Sequence, residues 1–232
     1  MRAEAKLGPL TLGAAPVVVG TLTDRHFLQT FANQFPHSFC DAVELRVDLL
    51  GLHSNWVEEG RRIERLGIPA FATLRLGIEG GKWDHPDNDR IRYFKEAVDE
   101  LSGIDVELQS RIAPEICSYA HQHRKLCIVS HHDFHQTPPL SELIDIIERA
   151  QGIGCVVKVS TMAASESDLQ ILSSLLKMEW ETPLCVIAMG PFGTESRVHF
   201  PQLGSCLTYG YLDTPAAPGQ LSAHELKQRL NN

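Results

Sequence analysis

The sequence predicts an α/β protein built as a (β/α)8 TIM barrel, with an N-terminal hairpin closing the barrel floor. Three observations carry the prediction. About eight short apolar, β-branched runs alternate with amphipathic segments of helical period. No linker, repeat or break in composition interrupts the 232 residues, so residues 1–232 are expected to form one domain, a size that single α/β barrels commonly reach. Five of the runs also gather their polar residues on a single face.

In chain order, Leu7 to Pro16, with Gly8, Pro9 and Gly13, supplies the hairpin expected over the floor. Strands are predicted at Pro16 to Leu22, Ala42 to Asp48, Pro69 to Arg75, Ile104 to Leu108, Leu126 to His131, Cys155 to Ser160, Leu184 to Met189 and Leu207 to Tyr211. Helical spacing links Phe27, Leu28 and Phe31; Phe94, Val98 and Leu101; Leu140, Leu143, Ile144 and Ile147; and Leu169, Leu172 and Leu176. Ser222-Ala223-His224-Glu225 reads as a capping box opening the last helix.

Side chains alternate faces along a strand, and here the alternation separates polar from apolar. Glu44, Arg46 and Asp48 oppose Val43, Leu45 and Val47; Thr73 and Arg75 oppose Ala72 and Leu74; Asp105 and Glu107 oppose Ile104, Val106 and Leu108. Ser130 shares a face with His132, and Lys158 with Ser160. With the apolar faces packed on outer helices, these polar groups point into the barrel near the C-terminal strand ends, where this architecture builds active sites. They form either a site or a buried ion-pair cluster.

The formal net charge of −8, with no long basic run, argues against a nucleic-acid surface. No apolar run approaches the ~20 residues of a membrane span, and Met1 to Lys6 is not followed by a leader-type apolar region. The six cysteines form no C-x-x-C pair, and Cys127, Cys155 and Cys185 lie inside apolar runs. They read as buried thiols of a reducing, cytoplasmic compartment, with no disulfide frame and no zinc site. His131-His132-Asp133-Phe134-His135 invites a metal, but neighbouring histidines on a strand face opposite ways and no partner set has ligand spacing, so no metal is expected. Gly152-Ile153-Gly154 enters a strand where a dinucleotide fingerprint would open a helix, and no P-loop is present, so no cofactor is expected either.

Lys158, in Gly154 to Ser160, is the anomaly. It is either a strand-end lysine reaching solvent or a buried amine that must be paired or give up its proton. In the second state it can attack a ketone and form a Schiff base. His132 follows the preceding strand, Leu126 to His131, about 4.8 Å away laterally, so imidazole and amine can serve one bound molecule. A protonated imine acidifies the adjacent C–H bond, and a histidine can move that proton.

The chain resembles the type I 3-dehydroquinate dehydratases, Schiff-base-forming (β/α)8 lyases of the shikimate pathway, from about Val17 onward. The resemblance rests on Glu44-Leu45-Arg46, Thr73-Leu74-Arg75 with Glu79-Gly80-Gly81, Asp105-Val106-Glu107-Leu108, His132-Asp133-Phe134 with Thr137-Pro138, Val157-Lys158-Val159, Met189-Gly190 through Gly193 to Ser196-Arg197, and Ala217-Pro218-Gly219-Gln220. It implies that Lys158 forms an imine with the C3 ketone of 3-dehydroquinate. His132 would take the C2 proton and protonate the departing C1 hydroxyl, and Glu79 would orient the histidine. It implies that Glu44, Arg46 and Arg75 hold ring hydroxyls, or else an internal ion-pair network, and that Arg197 and Gln220 clamp the substrate carboxylate. It also implies a homodimer. Asp105 is expected as a partner of His132. The chain departs from the family at Ala216, where a lid-loop serine is usual; a hydrogen bond to substrate is then either missing or supplied by Thr214. Two other readings stay open at this point: a class I aldolase-like barrel, which cleaves a C–C bond through the same imine and commonly needs a phosphate site, and a degenerate barrel that only binds.

Overall fold

The computed structural model describes residues 5–34, 39–217 and 219–231; Met1 to Glu4 and Pro218, cited above, lie outside them. Eight parallel strands form one sheet, flanked by helices. They are β3 (Val17–Leu22), β4 (Ala42–Arg46), β5 (Ala70–Thr73), β6 (Gly103–Glu107), β7 (Leu126–Asp133), β8 (Val156–Met162), β9 (Leu184–Met189) and β10 (Leu207–Tyr211). Their spatial order is β10-β3-β4-β5-β6-β7-β8-β9, so the chain's last strand pairs with the first strand of the barrel, Leu207 beside Val17 through Tyr211 beside Thr21. The seam between β9 and β10 is closed differently. Cys206 N–H donates to the Leu184 carbonyl (2.9 Å), and the Ser205 hydroxyl accepts from Val186 N–H (3.0 Å) and donates to the Leu207 carbonyl (3.1 Å). This hydroxyl occupies the place of a missing ladder bond, and the result is a nearly closed (β/α)8 barrel.

The alternation read from the sequence holds on the five strands β4 to β8. Val18, Val43, Leu45, Ala72, Ile104, Val106, Val129, Val157, Val159 and Val186 face outward into one apolar cluster with the helices. Lower inward positions, including Val17, Val19, Ala42, Phe71, Ile128 and Val156, fill the barrel's base. There they meet Leu7 and Leu12 from the hairpin formed by β1 (Lys6–Leu7) and β2 (Leu10–Thr11), which caps the floor. Upper inward positions are polar, and that layering places the site.

Strands β9 and β10 coincide with the expected ranges, whereas β4 stops at Arg46 and turns into the short helix α2 (Val47–Leu50), so Asp48 reaches inward from a helix. The expected helices are α1 (Arg25–Gln34), α4 (Arg90–Glu100), α6 (Leu140–Gln151), α7 (Glu166–Leu176) and α9 (Ala223–Asn231), the last with the Ser222 hydroxyl accepting from Glu225 N–H (3.2 Å). The structure adds α3 (Trp56–Arg65), α5 (Ala113–Gln122) and α8 (Gly193–Gln202). Their inward faces lack the leucine signature: α3 packs Gly60 where a Cβ would strike Leu45 and Leu101, and α8 buries Ser196 and Arg197. None of the described helices is long and apolar enough to cross a membrane.

The cysteine reading needs a correction. Cys117 on α5 and Cys127 on β7 are paired as a disulfide, with Cα atoms 5.6 Å apart, while Cys40, Cys155, Cys185 and Cys206 are free. Spacing along the chain gave no hint of it, because it joins the inner face of a helix to the outer face of a strand.

Arg90 is fully buried and ties the loop before α4 to the barrel. It donates to the Leu74 carbonyl (2.6 Å), Glu107 (2.6 Å), Asp87 (2.5 Å to Oδ1) and the Ser110 hydroxyl (2.9 Å). Breaking a buried ion pair on one side strands its partner, so Arg90→Met should cost about 3–5 kcal/mol of folding stability. A matching fall in the urea unfolding midpoint at unchanged slope checks this.

Candidate active site

At the C-terminal ends of the strands, the upper inward layer converges on one narrow cavity of about 60 Å³. Its lining includes Glu44, Glu79, His132, Lys158, Arg197 and Gln220. A larger cavity, about 1000 Å³, lies at the opposite end of the barrel between α5 and the loops entering β8 and β9. It brings together no comparable set of opposed charges, so the small cavity is the site the chemistry favours.

Lys158 is buried, and of its two sequence-based readings the paired one holds. Its Nζ donates to Asp105 Oδ2 (3.0 Å) and lies 4.3 Å from the centre of the Tyr209 ring. Asp105 is the hub: Oδ1 also accepts from Arg75 Nη2 (2.7 Å) and from the Ser130 hydroxyl (2.6 Å), to which Arg75 Nη1 donates (2.7 Å). Burial alone would raise the Asp105 carboxyl; the Arg75 and Lys158 charges reverse this and hold it well below the usual carboxylate range. The expectation that Asp105 partners His132 is thereby corrected. Register places Asp105 beside Ile128 and Thr73, two inward levels below His132, and its oxygens are taken by Lys158, Arg75 and Ser130.

His132 sits one inward position above Ser130, beside Ser160 on β8. Glu79 Oε2 accepts from the His132 backbone N–H (3.0 Å) and lies 2.7 Å from its Nδ1; Glu79 Oε1 accepts from Gln109 Nε2 (2.5 Å). With Nδ1 donating to the carboxylate, Nε2 is left as the basic nitrogen. Burial, reinforced by the Arg75 and Lys158 charges, holds the imidazole well below its usual 6.5, so it is neutral at neutral pH. Burial pushes Glu79 up to about 7 despite the nearby Arg75 charge. The loop carrying Glu79 requires its glycines: Gly80 has φ +76°, and a Cβ there would enter the Phe134 ring, which stacks near His132 with centroids 6.5 Å apart.

An acid limb of activity should therefore sit near pH 7, where Glu79 takes up a proton and no longer stabilises the imidazolium that forms when His132 removes a substrate proton. In Glu79→Gln the imidazolium loses the carboxylate that adjoins it, so its pKa falls. The pH profile of kcat/KM should shift its acid limb downward while the plateau drops by roughly 10- to 100-fold.

The remaining expected residues reach the cavity with different degrees of freedom. Glu44 accepts from Thr21 (3.0 Å) and Thr73 (2.8 Å), Arg46 forms a two-pronged pair with Asp48 (3.0 and 2.8 Å), and Arg75 is held by Asp105 and Glu107. Arg197 differs. It is buried and donates only to main-chain carbonyls, those of Gly193 (2.7 Å), Ala188 (3.2 Å), Tyr209 (3.2 Å) and Gly219 (3.4 Å). No carboxylate partners it among the described residues, and burial lowers its pKa to about 10. A cation without a counter-ion at a cavity wall is a receptor for an anion. Gln220 accepts from Ala216 N–H through Oε1 (2.8 Å), and Ala216 lines the cavity. Thr214, the candidate substitute for the missing serine, instead lies 3.3 Å from the Thr23 hydroxyl and does not line the cavity. Gln109, Thr21 and Tyr209 escaped the sequence reading; Gln109 lies in a loop without pattern, and Tyr209 in a strand where an aromatic residue reads as core.

Comparison with known proteins is consistent with this geometry. The family model described as Type I 3-dehydroquinase matches residues 17–232. A 3-dehydroquinate dehydratase from Methanocella arvoryzae is 36% identical over 191 residues, covering 82% of this chain and 86% of that protein. One from Methanococcoides burtonii is 29% identical over 233 residues, covering 97% of each. Among solved structures, a type I 3-dehydroquinate dehydratase from Clostridium difficile, carrying covalently modified comenic acid, superposes with a TM-score of 0.87 at 26% identity, covering 100% of this chain and 97% of that one.

Proposed function

Because the chain belongs to the type I 3-dehydroquinase family, we propose that it is a hydro-lyase converting 3-dehydroquinate to 3-dehydroshikimate through an imine on Lys158. Lys158 Nζ attacks the C3 ketone, whose oxygen leaves as water. The resulting iminium keeps a positive charge 3.0 Å from Asp105, so the ion pair of the resting enzyme passes to the intermediate without being broken. The iminium draws electrons from the ring, His132 Nε2 removes a C2 proton, and the enamine expels the C1 hydroxyl as His132 returns the proton to it. Water then hydrolyses the imine, releasing product and Lys158.

The observation that carries this reading is the placement of a neutral His132, held by Glu79, on the strand next to Lys158 and above the same cavity. Arg197, aided by Gln220, supplies the positive site for the substrate carboxylate. Glu44 and Arg46 fix ring hydroxyls from within their internal bonds, and Arg75 acts chiefly through Asp105. The reading includes one catalytic domain spanning residues 1–232, a cofactor-free reaction, and a homodimer acting in the cytoplasm on the pathway to chorismate and the aromatic amino acids. Borohydride added with 3-dehydroquinate should fix a substrate-derived mass on the peptide containing Lys158. An active enzyme whose Lys158 peptide stays unmodified would sink the mechanism.

A further inference from the structure

Tyr209 lies inside the barrel on β10, beside Val19, and its ring forms part of the cavity wall next to Lys158. Its backbone carbonyl is taken by Arg197 Nε (3.2 Å), but its hydroxyl is buried and has no hydrogen-bond partner among the described residues. Buried phenols ordinarily find a partner, and one left without weakens the empty fold. Burial also pushes the Tyr209 phenol well above its usual 10, so at neutral pH it is available only in its donor form. A residue of the cavity wall thus carries an unused donor.

The substrate oxygen it can serve follows from covalent geometry. Of all substrate oxygens, the one bonded to the carbon that Nζ attacks is tied closest to Nζ, and Nζ rests 4.3 Å from the Tyr209 ring centre. We infer that the Tyr209 hydroxyl donates a hydrogen bond to the oxygen that Lys158 displaces, first as the ketone and then as the carbinolamine hydroxyl. The inference rests on the Lys158 imine proposed above. As one ammonium proton passes to the ketone oxygen, the freed Nζ lone pair forms the C–N bond and the C=O π pair moves onto oxygen; the C–O bond then breaks as C=N forms. Of the three protons on the resting ammonium, one stays on the iminium nitrogen and two leave with the oxygen as water. Tyr209 keeps its own proton throughout and acts by stabilising charge on that oxygen as it builds.

Tyr209→Phe tests this with the ring, and so its contact with Lys158, retained. In the whole enzyme mixed with 3-dehydroquinate, borohydride quenching at successive times should show the Lys158 adduct forming roughly tenfold more slowly than in the wild type. The substrate-free melting temperature should stay the same or rise, because an unpartnered hydroxyl has been removed. An adduct that forms at the wild-type rate overturns the inference, as does a lowered substrate-free melting temperature, which would mean that the hydroxyl is bonded within the fold. A wild-type enzyme with no Lys158 adduct overturns the imine itself, a result distinct from equal rates in the two proteins.

Discussion

Lys158→Met should reduce turnover of 3-dehydroquinate by at least about 10⁴-fold and abolish the borohydride adduct, while the protein still folds. Methionine matches the volume of the lysine stem, and Asp105 retains Arg75 and the Ser130 hydroxyl after the ammonium is gone. The loss should fall on kcat, since the Arg197 and Gln220 side of the cavity is untouched and ground-state binding depends on it. Steady-state kinetics together with a thermal melt separates the two effects. Residual turnover within about 100-fold of wild type would mean that the reaction needs no covalent lysine.

His132→Gln should separate covalent capture from chemistry. Glutamine is near imidazole in reach and can still donate to Glu79, but it cannot carry a proton between C2 and the leaving hydroxyl. Turnover should fall by about 10²- to 10⁴-fold, the usual contribution of a positioned acid–base group, with the Lys158 adduct still trapped by borohydride. Mass analysis of the trapped peptide would then show the mass of unreacted substrate in excess over product. Product mass at the wild-type ratio would point to another base and remove His132 from the scheme.

The readings that succeeded were those governed by a period. Alternation along β4 to β8 placed Glu44, Asp105, Ser130, His132 and Lys158 inside the barrel before any contact was known, because a strand with one face in the core has no other way to lie. What failed depended on distance between elements. Asp105 shares the inner face with His132, yet register sets it two levels lower, within reach of Lys158's amine. Cys117 and Cys127 look unrelated in sequence and meet across a helix–strand contact. Arg90 belongs to no pattern that the sequence marks, although among the described residues it is the largest side chain fully removed from solvent. The family motifs supplied roles for Glu79 and Arg197 that periodicity could not, since both sit outside the strands.

The seam between β9 and β10 has a bearing on how the chain is made. The ladder that completes the barrel joins Leu207–Tyr211 to Val17–Leu22, so the segment synthesised first waits for nearly the whole chain before its second edge is covered. Contacts of such sequence separation form late and slowly. Lys158, His132 and Asp105 all precede this step, whereas Arg197, Tyr209 and Gln220 arrive with it. During synthesis, a chain folded only as far as β8 would possess its reactive amine and base yet have no grip on a carboxylate. In the proposed reaction, closure of the last strand is thus also the step that completes the site.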